Sequence, residues 1–267
     1  MRSSDAEIRD RRANIIQVLQ NDSGIELSEL ASRFKVSEST IRRDLNYLKD
    51  KKIISTSVRS TNEGFVTNVI PEFDSDLMYN TKIEEKEMIA KQAASMLESG
   101  DVVYINSSST AVRVIKYIDY NFVTVITNNA RALFEQAKPN VKVILTGGEI
   151  IHKNSIGNSK FAMTGDHAIS TVKNILANVC ILGVSGISAE RGVSSAALDE
   201  LTVNREMISS SLDKVIIVAD NRKIGINHNY IFSDIENVDY LITDSEANAL
   251  EVDKIRKKGV DVIQVEL

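Results

Sequence analysis

From Val102 to the C-terminus, short apolar runs alternate with segments of helical periodicity, and this alternation limits the fold more than any other feature. The runs are Val102–Ile105, Val123–Ile126, Val141–Leu145, Val179–Leu182, Val215–Val218, Tyr240–Ile242 and Val260–Val265. Most are rich in β-branched residues, and all are too short for an ordinary helix. Helical patterns lie between them at Thr110–Ile118, Ala130–Ala137, Ser159–Ser170, Ala197–Ser210 and Ala247–Lys257. A further one starts at Ile83, carries Met88, Ile89, Ala93, Met96 and Leu97, and stops at Ser99-Gly100. Strands with helices between them predict an α/β domain with a mostly parallel sheet covered on both faces.

Ligands of such domains sit at the carboxyl ends of the strands. The first run is followed by Asn106, Ser107, Ser108, Ser109 and Thr110 at a helix start. Hydroxyls and free backbone N–H groups there form either a phosphate cradle or a hydroxyl-rich helix cap. Thr127 and Asn128 follow the second run, and Thr146-Gly147-Gly148-Glu149 the third. Gly183, Ser185 and Gly186 follow Leu182, and Asp220 and Lys223 follow Val218. Glycines let a backbone approach a ligand, although a plain turn uses them equally well. No GxGxxG fingerprint or P-loop is present, so no nucleotide cofactor is indicated.

The N-terminal sixty residues read differently. Ile8, Ile15, Ile16, Val18 and Leu19 give a helix over about Ala6–Gln20, stopped at Asn21–Gly24. Leu27, Leu30, Ala31 and Phe34 give a second, with Ser28 as its predicted N-cap. After the turn at Lys35-Val36, Ser37 caps a third helix with Glu38 at its positive end. At 100° per residue, Ile41, Leu45 and Leu48 share one face, and Ser39, Arg42, Arg43 and Asn46 the opposite one. Two helices with a short turn and donors presented on the second match helix-turn-helix geometry. A solvated helix with an Arg–Asp44 pair is the alternative. The β-branched stretch from Lys51 to Arg59 predicts a small hairpin, or wing, with Lys51, Lys52 and Arg59 within reach of phosphates. Polar, aperiodic Pro71–Asn80 reads as linker, giving a head at 1–62, a linker at 63–81 and a body at 82–267.

Charge agrees with that division. Residues 1–60 hold 12 Lys+Arg and 9 Asp+Glu, a balance of +3, within a chain of net charge −5. A basic head on an acidic body fits nucleic-acid contact at one end. No apolar run of membrane-spanning length and no secretory h-region are found, which predicts a cytoplasmic protein. The single Cys180 lies in an apolar run and reads as a buried strand residue. His152, His167 and His228 are not at metal-ligand spacing, and His152 reads as a surface loop residue.

The set Arg11, Ile15, Leu19, Ser37, Thr40, Ile41, Arg42, Arg43, Asp44 and Leu45 resembles the winged helix-turn-helix of the DeoR family of bacterial transcriptional regulators. The body resembles the same family's effector domain over roughly Lys82–Asp244. It does so at Glu85-Lys86, Asn106–Thr110, Ile126-Thr127-Asn128, Thr146-Gly147-Gly148, Gly157, Gly186 with Gly192, Glu200, and Asp220 with Lys223 and Gly225. The resemblance implies a fold related to ribose-5-phosphate isomerase and a phosphorylated sugar as effector. The family loop begins with an acidic residue and carries a glycine; Asn106 and Ser108 stand there. Asn204, followed by Arg205, stands where the family has a lysine. Val58–Asn62 stands where the family follows the wing strand with a His-Gly-Gly-Ala-like segment. The crevice departures imply altered effector preference or weakened binding.

The expected function is a repressor of sugar-metabolism genes that acts on double-stranded operator DNA as a homodimer or homotetramer. An aldose–ketose phosphate isomerase using Glu200 as base, and a DNA-binding protein whose body only oligomerises, are the alternatives.

Overall fold

The computed structural model describes residues 5–21, 25, 27–50, 54–57, 66–69, 82–153 and 160–266. Two compact units divide between Lys82 and Ile83. The first contains α1 (Asp5–Asn21), α2 (Leu27–Arg33), α3 (Glu38–Asp50), β1 (Ile54–Ser57) and β2 (Val66–Val69). Ile15, Ile16, Leu19, Leu30, Ile41, Leu45 and Leu48 form its core, so the predicted apolar faces of the three helices meet one another. Ser28 lies inside the first turn of α2 instead of capping it, because the helix already begins at Leu27.

The hairpin is real, but its return strand lies further along the chain than expected. β1 pairs antiparallel with β2, from Ile54 opposite Val69 to Ser57 opposite Val66. Residues 66–69, assigned above to the linker, therefore belong to the head. The alternating sequence Val66-Thr67-Asn68-Val69 suits a pleated strand better than a tether. Lys51, Lys52, Arg59 and the linker segment 71–80 lie outside the described residues.

All seven apolar runs of the body form strands: β3 (Val102–Ile105), β4 (Thr124–Thr127), β5 (Lys142–Leu145), β8 (Ala177–Gly183), β11 (Ser211–Val218), β13 (Tyr240–Asp244) and β14 (Asp261–Val265). They make one sheet in the order β14-β13-β11-β8-β3-β4-β5, and every neighbouring pair is parallel. One sheet face carries Tyr104, Cys180, Leu182, Ile217 and Leu241. It is covered by α6 (Asp166–Lys173), α7 (Leu201–Ser209), α8 (Ala249–Lys257) and a small antiparallel sheet. Helix α4 (Ile83–Ala94) packs on β11, β13 and β14, with small Ala90 and Ala93 fully buried.

Three helical expectations need correction. The stretch Ser159–Ser170 divides into strand β7 (Lys160–Thr164) and helix α6. Gly165, at φ +84, turns the chain between them in a conformation that excludes most side chains. Ala130–Ala137 is only a 3-10 turn, Ala130–Phe134, because Leu133 and Phe134 face solvent and no apolar stripe supports a longer helix. Thr110–Ile118 is a 3-10 turn, Ala111–Arg113, that passes into α5 (Val114–Tyr117). The short strands β6 (Glu149–Lys153), β9 (Gly186–Ser188), β10 (Gly192–Ser195) and β12 (Tyr230–Ser233) were not anticipated. Strands β12, β10 and β9 form the small antiparallel sheet, and β6 pairs with β7.

Tyr104 connects the sheet to its cover. Its hydroxyl lies 2.9 Å from the Val172 carbonyl and 2.6 Å from the Ile175 carbonyl. Tyr104→Phe leaves buried acceptors with less than their native bonding and should cost about 1–3 kcal/mol. Urea unfolding should show a lower midpoint at unchanged slope; an unchanged midpoint would mean that the hydroxyl contributes nothing.

Candidate functional site

In the head, the turn before α3 is built from hydroxyls. The Thr40 amide donates to Ser37 Oγ at 3.3 Å, which makes Ser37 the predicted cap. Ser37 Oγ also lies 2.8 Å from Ser39 Oγ and 2.9 Å from Thr40 Oγ1. Beyond this turn, Ser39, Arg42, Arg43 and Asn46 are exposed, and Ile41, Leu45 and Leu48 are buried.

Asp44 sits on the buried side of α3 and is only 2% exposed. Its carboxylate accepts from Arg11 Nε and from Arg12 Nε, each at 2.7 Å. The Arg12 guanidinium also lies over the Tyr47 ring, 3.7 Å from its centroid. Both arginines come from α1, so the alternative of a solvated pair between Asp44 and α3's own arginines is replaced by a bracket between helices. The polar stripe of α3 remains on the surface.

In the body, strand order dictates where a crevice forms. From β3 the chain proceeds outward through β4 to β5, then returns to the other side of β3 as β8 and continues outward through β11, β13 and β14. The loops after β3 and β8 therefore leave in opposite directions. Asn106, 1% exposed, fills the floor between them. Its Nδ2 donates to the Gly183 carbonyl at 2.8 Å, and its Oδ1 accepts from the Gly183 amide at 3.0 Å. The same Nδ2 lies 3.2 Å from Asn204 Oδ1 on α7. Two of the three crevice positions that depart from the family pattern, Asn106 and Asn204, are thus hydrogen-bonded neighbours.

The loop after β3 uses much of its own polarity. Asn106 Oδ1 accepts from the Ser108 amide, and Ser108 Oγ accepts from the amides of Thr110 and Ala111. The backbone N–H groups of these three residues are therefore not free: side chains of the loop already accept from them. Buried atoms without a hydrogen bond in the protein remain at Ser107 Oγ, Thr110 Oγ1 and Asn128 Oδ1. Ser109 is half-buried beside them. Thr127 Oγ1 is occupied by the Asn129 amide, and Asn128 Nδ2 by the Met163 carbonyl of β7. Asn129 Nδ2, not singled out above, donates to the Ser108 carbonyl and joins the loops after β3 and β4.

Gly148, Gly183 and Gly186 serve internal packing. A Cβ on Gly183 would lie 1.8 Å from Ser108 Oγ, and one on Gly186 would lie 2.3 Å from the Ile226 carbonyl. Ser185 donates its amide to the Ser194 carbonyl. Gly147 and Gly148 have φ of +71 and +106, and a Cβ on Gly148 would meet the Thr164 carbonyl at 2.4 Å. At Gly148 and Gly186 the close backbone approach expected for a ligand is made to the protein itself.

Charge collects beside this floor. Val218 pairs with Gly183, so the loop after β11 adjoins the loop after β8. There Asp220 is fully buried and accepts from Arg222 Nε at 2.8 Å and Nη2 at 3.1 Å. Burial alone would raise its pKa, but the Arg222 hydrogen bonds and the charges of Lys223, Arg222 and Lys86 outweigh that and hold it at about 2. Lys86, in the first turns of α4, is only 4% exposed. Burial, then the neighbouring charge of Lys223, pushes its ammonium down to about 7. Glu200 is also buried, at the start of α7.

Lys86 and Arg222 were missed as candidate ligands. Lys86 had a legible signal: it precedes Ile89, Ala90 and Ala93 by three, four and seven residues, which places a cation on the apolar stripe of α4.

Two family descriptions match the chain. A DeoR-like helix-turn-helix domain covers residues 11–56, and a DeoR C terminal sensor domain covers residues 81–245. The HTH-type transcriptional regulator GolR of Listeria innocua is 31% identical over 259 residues, spanning 95% of this chain and 97% of that protein. A putative aga operon transcriptional repressor of Escherichia coli O157:H7 is 29% identical over 96% of this chain and 93% of its own length. The glycerol-3-phosphate regulon repressor of Escherichia coli K12 is 27% identical over 88% of this chain and 90% of its own length. Among solved structures, ribose 5-phosphate isomerase from Plasmodium falciparum aligns at a TM-score of 0.35 and 17% identity, over 52% of this chain and 51% of that one. With both sequence domains matched in order and relatives aligned along almost the whole length, the chain belongs to the DeoR family of helix-turn-helix transcriptional regulators.

Proposed function

We propose that this protein is a repressor of sugar-use genes that reads operator DNA through α3 and responds to a phosphorylated sugar bound at the carboxyl ends of β3, β8 and β11. One observation carries the effector reading. Three buried polar atoms without a hydrogen bond, on Ser107, Thr110 and Asn128, lie in the loops after β3 and β4, and in the charged group around the loop after β11, Lys86, Arg222 and Lys223 outnumber Asp220. Neutral oxygens suit sugar hydroxyls, and surplus positive charge suits a phosphate. The phosphate seat accordingly lies at Lys86 and Lys223, and the hydroxyl loop holds the sugar. The isomerase alternative loses support because the Asn106 carboxamide is not an acid and is engaged with Gly183.

On the DNA side, Ser39, Thr40, Arg42, Arg43 and Asn46 contact bases or phosphates in the major groove. One small head makes few phosphate contacts, so useful affinity comes from paired heads in a homo-oligomer. The effector acts by binding more tightly to the arrangement of heads that does not fit the operator.

Two predictions follow from these assignments. Arg42→Ala and Arg43→Ala should each weaken binding to an operator selected from random DNA by about tenfold or more, the range expected for loss of a bidentate arginine contact. The melting temperature should stay unchanged, since both side chains lie off the apolar face. Gel-shift titration at fixed salt tests this, and unchanged affinity would remove α3 from the reading role. For the effector, Lys86 is mostly neutral at pH 8, and a dianionic phosphate beside it raises its pKa. Binding should therefore take up as much as about one proton per site and weaken as pH rises above 7. Titration calorimetry of hexose and pentose phosphates in buffers of different ionisation enthalpy measures the uptake. Lys86→Met should abolish it; binding without proton exchange in the unmodified protein would place the phosphate elsewhere.

A further inference from the structure

We propose that Asp44 is a positioning residue for DNA reading: held from α1 by Arg11 and Arg12, it fixes the rotation of α3 and so aims Arg42 and Arg43. The inference rests on α3 being the reading helix. Ile41, Leu45 and Leu48 hold α3 in the head by apolar burial, which is non-directional. Such packing sets how close the helices lie, but only weakly resists rotation of α3 about its own axis. Two charge-assisted hydrogen bonds at 2.7 Å, one to each carboxylate oxygen, are directional. They converge on one residue from consecutive positions of a different helix, so a rotation of α3 that carries Asp44 away from α1 breaks their geometry. Arg12 is itself fixed by the Tyr47 ring one turn further along α3. Asp44 directly follows Arg42 and Arg43, and any error in its placement is magnified at the ends of those long side chains.

The charge balance makes the inference separable from simple loss of fold. One carboxylate holds two guanidinium groups. Removing its charge adds one positive unit to the head and frees both arginines. Non-specific attraction to phosphates depends on summed charge and tolerates misplacement. Base recognition requires placement within about half an ångström. Asp44→Asn should therefore lower affinity for the operator while leaving affinity for unrelated DNA unchanged or raised. Unfolding would lower both.

The test uses the full-length protein, an operator selected from random DNA and a scrambled duplex of equal length, with fluorescence anisotropy at several salt concentrations. Asp44→Asn is expected to reduce the ratio of specific to non-specific affinity at least tenfold, with non-specific affinity no weaker than before. A parallel fall in both affinities, or a ratio left intact, would overturn the inference. If circular dichroism shows that Asp44→Asn unfolds the head, Arg12→Gln, which keeps the Arg11–Asp44 bond, becomes the deciding variant; because it removes a positive charge, it is judged by the specific-to-non-specific ratio alone, which should again fall at least tenfold. Arg42→Ala run alongside distinguishes the failures. No loss of operator affinity in that variant defeats the α3 reading and this inference together. A loss there, beside an unchanged ratio in the bracket variants, defeats the inference alone.

Discussion

The body is organised around the hydrogen bonds between the Asn106 carboxamide and the peptide groups of Gly183. Strands β3 and β8 are neighbours in the sheet, yet the chain leaves them in opposite directions. A crevice at their carboxyl ends is the unavoidable result. Left open, it would expose the last peptide groups of β8 in the centre of the domain. A carboxamide offers one donor and one acceptor, as a peptide does, and Asn106 thus extends the pairing of β3 with β8 by one side chain. An aspartate in the same place could accept from the Gly183 amide but could not donate to its carbonyl. Asn106 also reaches Asn204, so the helix α7 is tied to the same floor. The absence of a side chain on Gly183 is a condition of this arrangement, since Ser108 occupies the space a Cβ would need.

How much of this was legible depends on the signal each element leaves. The seven sheet strands are continuous apolar runs, because both faces of a parallel sheet are covered, and such runs stand out against amphipathic helices. Strands β9 and β10 contain Gly186, Ser188, Gly192, Ser194 and Ser195 and carry no comparable run; they are held by pairing with each other and with β12, with Ile187 and Val193 buried in the core. The site shows the same division. Strand alternation placed the loops after β3, β4, β8 and β11 at the carboxyl edge of the sheet, since loop position follows from topology. It could not say which polar atoms the protein consumes itself. Thr127, Ser108 and the glycines are spent internally, whereas Ser107 and Thr110 are not, and only side-chain direction separates the two groups. Lys86 was passed over for the opposite reason. Its charged neighbours Glu84, Glu85 and Glu87 made the helix start read as solvated and masked the signal of its place on the apolar stripe.

In the head, the apolar stripe and the polar stripe of α3 were both visible from a 100° repeat. The role of Asp44 was not. Its neighbours in sequence suggested a local pair, and the true partners lie 33 and 32 residues away on α1. Long-range ion pairs leave no periodic trace. Arg11 and Arg12 could equally have been placed with the basic residues offered to DNA.

Lys86 also couples protonation to the stability of the body. Its lowered pKa means that the folded protein binds a proton there less tightly than the unfolded chain does. Between about pH 7 and the ordinary lysine value near 10.4 the unfolded chain therefore holds more protons, and stability rises with pH across that window. The penalty on the charged form is fully present below pH 7. An anion beside Lys86 favours the charged form and offsets that penalty in the folded state alone. Ligand binding, protonation of Lys86 and stability of the first turn of α4 are then linked quantities. The adjacent Glu87 extends the linkage, since it accepts from Arg113 and Lys116 at 2.7 Å and from the Tyr117 hydroxyl. These three residues lie in or beside α5, which follows the hydroxyl loop directly. One turn of helix thus joins the charged group at Lys86 to the helical turn that follows the hydroxyl loop.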